Sequence, residues 1–116
     1  MHQYKKLEIW QRAVELAVMV YQASEAFPVE ERYGLTSQIT RSAVSVSSNI
    51  AEGAGRNTNK DFNNFLGFAL GSLFEVETQL IIASRLSYVE TGHLKKIEDE
   101  IALLTNKIIR FKQSLQ

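Results

Sequence analysis

A single proline, Pro28, and six glycines are all that interrupt a chain of 116 residues. That scarcity of helix breakers is the strongest constraint on what the chain can fold into. Strict alternation of apolar and polar residues never lasts beyond a few positions, so strands have no pattern to form on. Apolar and small residues instead recur three and four apart along most of the sequence. That spacing predicts four helices.

The first is predicted from about Leu7 to Ala26, with Leu7, Trp10, Val14, Ala17, Tyr21 and Ser24 on one stripe. Pro28 ends it, because the residue before a proline avoids helical geometry. The second runs from about Glu30 to Ala54, its two leading acids suiting the positive end of the helix dipole. Its inward stripe is Leu35, Ile39, Ser42, Val46, Asn49 and Gly53, flanked by Ala43 and Ile50. This helix is rich in serine, a mediocre helix former, so its stability must come from close packing by neighbours. The third runs from about Asn59 to Ser87, with Thr58 and Asp61 spaced as a shortened capping box. Its stripe is Phe62, Leu66, Ala69, Leu73, Val76, Leu80 and Ala83. The fourth runs from about Leu94 to Leu115 on Leu94, Ile97, Ile101, Leu104, Ile108, Phe111 and Leu115. Two unbroken heptad stripes in adjoining helices specify near-antiparallel packing. The connections are short, roughly four to six residues, which makes successive helices antiparallel neighbours. The expectation is an all-α fold, an up-down-up-down antiparallel four-helix bundle formed as one domain over residues 1–116.

The third helix carries a second seam. At 100° per residue, Phe68, Gly71, Glu75, Thr78 and Ile82 fall opposite its core stripe, spaced 3, 4, 3, 4. Gly67 and Gly71 add a pair of small residues on a bordering face. A glycine inside a helix costs about 1 kcal/mol against alanine, so two call for a packing reason. The seam predicts an interface with a second copy of the chain, against the plainer reading of irregular surface exposure. Glu75, inside the seam, needs a partner. The second helix offers Arg41 on a polar stripe with Ser45, Ser48 and Glu52. The expectation is a structural polar network of Arg41, Asn49, Glu52 and Glu75 in which Arg41 pairs with Glu52 or Glu75.

Thirteen Lys+Arg balance thirteen Asp+Glu. This excludes a histone-like polycation and an acidic solvating tail. Zero net charge nevertheless conceals an asymmetry. At one end of an up-down bundle meet Lys5, Lys6, Arg12, Arg56, Lys60, Lys107, Arg110 and Lys112, against Glu8, Glu52 and Asp61. The far end holds Arg32, Arg85, Lys95 and Lys96 against seven acids, Glu100 among them. In a cyclic oligomer the basic ends would share one rim, attractive to a phosphate backbone in RNA or DNA. Ordinary solvation of helix ends fits the same residues.

Candidate chemistry is sparse. Cysteine is absent, which removes disulfides, thiolate metal sites and a cysteine nucleophile. The turn Gly53-Ala54-Gly55-Arg56-Asn57-Thr58 lacks the spacing and preceding strand of a P-loop. It reads as a helix stop, with Gly55 near C′ and Thr58 as the next N-cap. His2 and His93 have no ligand spacing for a bundle-core metal, and His93 reads as part of the fourth helix's start. Ser42, Ser45, Ser47 and Ser48 have no base nearby in sequence to activate them. No catalytic residue, metal or cofactor is expected. Neither a secretion signal nor an apolar run near the ~20 residues of a membrane span is evident. A cytoplasmic protein without a membrane partner is the expectation.

Ordered motifs add a family resemblance. They are Leu7-x-x-Trp10-Gln11, Phe27-Pro28-x-Glu30, Tyr33-Gly34-Leu35-x-x-Gln38, Arg41-Ser42-Ala43-Val44-Ser45, Ser48-Asn49-Ile50-Ala51-Glu52-Gly53, Gly55-Arg56 and Gly71-Ser72-Leu73-x-Glu75-x-Glu77-Thr78. In order and spacing the set resembles the four-helix-bundle family of 23S rRNA-intervening-sequence proteins. It is also similar to the accessory variability protein of diversity-generating retroelements. The resemblance implies a four-helix subunit in a homo-oligomer, a pentamer, with RNA, DNA, a reverse transcriptase or another protein as partner; it does not imply an enzyme, and none is expected. The motif positions it carries over are Arg41, Asn49, Glu52, Gly53, Arg56 and Glu75. Ser47 departs from the family, whose members often place proline before Ser-Asn.

Overall fold

The computed structural model describes all of residues 1–116. Four helices account for most of the chain and no strand is formed: α1 is Glu8–Ser24, α2 Leu35–Ala54, α3 Asn59–Arg85 and α4 Thr91–Ser114. Short 3-10 turns at Tyr4–Lys6 and Val29–Glu31 precede α1 and α2. Each helix packs on its sequence neighbour, α4 closes back on α1, and the diagonal pairs stay apart. The outcome is the expected up-down-up-down bundle, square in section and 43 × 25 × 20 Å overall. Its length agrees with 27-residue α3 at about 1.5 Å per residue.

The core is a ladder of apolar layers. The α3 stripe is buried at every predicted position, from Phe62 to Ala83. In α4, Ile97, Ile101, Leu104 and Ile108 are fully enclosed, while Leu94, Phe111 and Leu115 close the ends part-buried. In α2, Ala43 and Ile50 join the stripe as core residues, and Asn49 sits at its half-buried edge.

The α1 stripe is met in part. Ala17 and Ser24 are buried as predicted and Leu7, Trp10 and Val14 are part-buried, but Tyr21 is 51% exposed, and Ile9, Ala13, Leu16, Val20 and Ala23 form most of the face that meets the core.

Helix ends also shift. α2 begins at Leu35, not Glu30. Glu31 folds forward so that its Oε1 accepts the Leu35 amide hydrogen at 3.1 Å, acting as the missing cap. Thr58 caps α3 as predicted, its hydroxyl oxygen accepting the Asp61 N–H at 3.1 Å. Gly55 closes α2 without leaving right-handed geometry (φ −84°). The left-handed residue is Ser87 at φ 63°, just past α3. There Ser87 N–H donates to the Ser84 carbonyl and Tyr88 N–H to the Ala83 carbonyl, the two bonds of a Schellman stop.

Close packing does stabilise the serine-rich helix. Gly53 is buried where α2 presses on α3, and a Cβ there would meet Phe65 Cβ at 2.6 Å and Phe62 Cδ1 at 2.9 Å. Ser72 donates to Ser45 Oγ across the same contact at 3.1 Å.

Candidate functional site

At the basic end, the chain before α1 folds across the bundle. His2 N–H donates to the Ala54 carbonyl at 2.8 Å. Its ring lies 5.0 Å from Phe62 and 6.1 Å from Phe111, sealing the last apolar layer. This strap presents Lys5 and Lys6 on its short turn. Two open clefts flank the turn and share Lys6. One, of about 540 Å³, is lined by His2, Tyr4, Lys5, Lys6 and Gly55 among others. The other, of about 420 Å³, adds Lys107 and Arg110.

The eight predicted cations do not act alike. Arg12 binds Glu8 at 3.0 Å and Glu100 at 3.1 Å. Lys107 also reaches Glu8, at 3.2 Å. These residues form a clamp between α1 and α4. Arg12 and then Lys107 hold the Glu8 carboxyl below its ordinary range, and Glu8 followed by Glu100 raises the Arg12 guanidinium. Glu100 therefore lies beside Arg12 rather than at the far end, a correction to the predicted charge partition. The α1/α4 register, with Lys107 beside Glu8, puts Glu100 about one turn from Arg12, within reach of its long side chain. Arg56 pairs with Glu52 at 3.3 Å, four residues earlier on one helical face, and stacks 4.6 Å from the Phe65 ring. Lys112 donates to the carbonyl and side-chain oxygens of Asn63. Lys5, Lys6, Lys60 and Arg110 are left without an ion pair, and all four are exposed.

The predicted polar network is rearranged. Arg41 pairs with neither Glu52 nor Glu75; its only side-chain hydrogen bond is to Ser37 Oγ at 3.4 Å. Glu52 is taken by Arg56, and Asn49 donates to Ser45 O and Oγ. Helix geometry explains both, because partners four residues apart on one helix are nearer than those across the bundle. Arg41 and Glu75 instead line opposite walls of an open polar cleft of about 420 Å³ between α2 and α3, with Gln38, Ser42, Ser45 and Gln79. Gln79 Oε1 is buried there without a hydrogen-bond donor.

The second seam on α3 is exposed in the single chain along its whole length, from Phe68 (59%) and Gly71 through Glu75 and Thr78 to Ile82 (45%). Phe74, Ile81 and Leu86 widen this apolar face. A Cβ on Gly71 would meet nothing within 4 Å, and one on Gly67 only Lys112 Nζ at 3.8 Å. The two glycines thus have no packing reason within the chain. With both faces apolar, α3 is also long and apolar enough by composition to cross a bilayer, its best 18-residue window having a mean hydropathy of 1.4. The fully buried stripe from Phe62 to Ala83 makes it the central helix of this bundle.

Contacts that sequence reasoning had not singled out include Tyr88 with Glu31, Asn63 with Lys112 and Ser45 with Ser72. Glu8 with Arg12, Glu52 with Arg56 and Lys95 with Asp99 did have a readable signal, the i,i+4 spacing of opposite charges.

Comparison with known proteins bears on these surfaces. No curated protein matches the chain. Among solved structures, a Bacteroides thetaiotaomicron protein described as of unknown function, from the S23 ribosomal protein family, superposes with a TM-score of 0.78. It is 25% identical, and the alignment covers 90% of this chain and 97% of that one. Neither that structure nor the family indicates an enzyme class. Residues 5–110 match the family described as 23S rRNA-intervening sequence protein, and with nearly the whole four-helix bundle inside that match the chain belongs to this family.

Proposed function

We propose that this protein is a non-enzymatic, oligomeric helical bundle that binds RNA or DNA through its basic end. The observation that carries the reading is the grouping of Lys5, Lys6 and Arg110 around the two clefts beside the N-terminal strap, with exposed Lys60 in the first turn of α3, none of the four held by a carboxylate. Cations already engaged, such as Arg12 and Lys107, have little to gain from a phosphate. The four unpaired ones release counterions when they meet it. A ring of subunits would set several such ends on one rim, giving a many-contact surface from a chain of zero net charge. The family's description, which refers to the 23S rRNA intervening sequence, supports the nucleic-acid reading.

A salt titration tests it. Binding of single-stranded RNA should fall in the micromolar range at low salt, about 10⁻⁴–10⁻⁶ M, and weaken steeply with added salt. Neutralising Lys5, Lys6, Lys60 and Arg110 together should flatten that slope, whereas Arg12→Gln should leave it nearly unchanged. Absence of binding at low salt refutes the proposal.

The second reading is an adaptor that engages another protein, with no nucleic-acid ligand. It is favoured by the breadth of the apolar face of α3, where Phe68, Phe74, Ile81, Ile82 and Leu86 all lie open. A monomer free of nucleic acid but retaining that face would support it over the first.

A further inference from the structure

The polar cleft between α2 and α3 is unfinished. Arg41 and Glu75 line it without an ion pair, and Gln79 Oε1 is buried in it without a donor. A buried acceptor left unsatisfied costs free energy, and unpaired charges flank it. Four cross-helix contacts set the heights of the helices in the bundle. They are His2 with Ala54, Glu8 with Lys107, Phe62 with Phe111 and Ser45 with Ser72. Stepping along the antiparallel helices from these contacts places Glu15 of α1 within a turn of Arg41, and Gln79 between the levels of Val18 and Gln22.

Glu15, Val18 and Gln22 are spaced three and four apart and are all exposed, on the part of α1 that leans toward α4. Glu15 makes no ion pair. In a square bundle the α1/α4 side lies opposite the α2/α3 side. Two different faces on opposite sides form a head-to-tail contact, and rotation about an axis parallel to the helices preserves height.

We propose that the α2/α3 cleft is a socket for α1 of a second copy of this chain. Glu15 of the incoming copy meets Arg41, which then bridges it to Glu75, and Gln22 supplies the amide hydrogen that Gln79 Oε1 lacks. A planar guanidinium with five donors suits a position between two carboxylates. Tyr21 lies within a turn of the level of Ile82, so the incoming face also covers part of the exposed seam. The socket rests on the oligomer reading above and adds which surfaces meet and which charges specify them.

Charge exchange with size measured by light scattering decides it. Arg41→Glu and Glu15→Arg should each weaken assembly by about thirtyfold or more. The double variant R41E/E15R should restore much of the loss. Both sites are exposed, so circular dichroism should show folded chains throughout, and Gln22→Ala provides a milder variant that should weaken assembly without altering charge. A wild-type protein that is monomeric at high concentration overturns the oligomer reading and the socket together. An oligomer unaffected by R41E and Q22A, or a double variant no better than the singles, overturns the socket and leaves the oligomer standing.

Discussion

Tyr88 donates its hydroxyl hydrogen to Glu31 Oε2 at 3.1 Å, joining the α1–α2 connection to the α3–α4 connection across 57 residues. The same carboxylate accepts the Leu35 amide through Oε1, so one side chain starts α2 and ties the two far loops together. Phe27, 5.6 Å from the Tyr88 ring, packs beneath this clasp. Burial first, and then the Glu31 hydrogen bond, hold the Tyr88 phenol above its ordinary pKa. Above the unfolded value of about 10, the unfolded chain loses the phenolic proton while the folded chain keeps it, so stability falls as pH rises. Thermal melts between pH 8 and 11.5 should show this alkaline decline, and Tyr88→Phe should reduce its slope while lowering the melting temperature at neutral pH.

Gly53 and Gly71 should respond oppositely to alanine. At Gly53 the new Cβ would lie 2.6 Å from Phe65 Cβ, so α2 and α3 must separate or rotate. Overpacking of this kind costs about 1–3 kcal/mol, more than the ~1 kcal/mol that alanine contributes in a helix. Gly71→Ala meets no atom, so the chain itself should gain up to about 1 kcal/mol. Chemical denaturation at low protein concentration separates the two. If the seam is an interface, Gly71→Ala will also weaken assembly while stabilising the subunit.

How far the fold could be read in advance follows from how the stripes are written. The α3 and α4 stripes each carry seven apolar residues, most of them large, over about six turns with no polar interruption, which the second seam on α3 does not match. On α1, Trp10, Val14 and Tyr21 mimic a core stripe, while the true one is diluted by Ala13 and Ala23. Glu30 and Glu31 look like first-turn acids, and only the folded loop shows Glu31 reaching forward to cap Leu35. The polar positions show the deeper limit. Periodicity puts Arg41, Glu52 and Glu75 on outward faces, but which pair forms depends on rotamers and on local competitors such as Arg56 and Ser37. The basic end was legible as a composition of charges. That Arg12 and Lys107 are tied up between α1 and α4 required knowing that α4 passes α1 in a register that sets Glu100 beside Arg12 and Lys107 beside Glu8.

Ser87 is the one residue other than glycine with positive φ, at 63°. It closes α3 by handing its own and the Tyr88 amide hydrogens to Ser84 and Ala83. Left-handed geometry costs a residue with a Cβ about 1–2 kcal/mol, partly offset by glycine's greater freedom when unfolded. Ser87→Gly should therefore raise stability by about 1 kcal/mol in urea or thermal denaturation. Ser87→Val should lower it, because a branched side chain tolerates this region least. An unchanged midpoint for both would show that the stop is not under strain.

Glu8 gives the opposite pH signature to Tyr88. Arg12 and Lys107 each donate to its carboxylate, from α1 and α4 respectively, and its pKa is lowered. A group whose folded pKa is depressed contributes stability above its unfolded value, here near 4.5, and loses that contribution as pH falls through the folded value. Melts from pH 6 to 3 should therefore show an acid decline that Glu8→Gln makes shallower, with lower stability than wild type at pH 6. The clamp is largely solvent-exposed, so 0.5 M salt should shrink the difference between the two proteins. Because Glu8 is the only carboxylate that holds Lys107, the same substitution frees that cation beside Lys6 and Arg110, while Arg12 keeps Glu100. RNA affinity at low salt should then increase even as the bundle becomes less stable, and an affinity that follows stability downward would place the binding surface elsewhere.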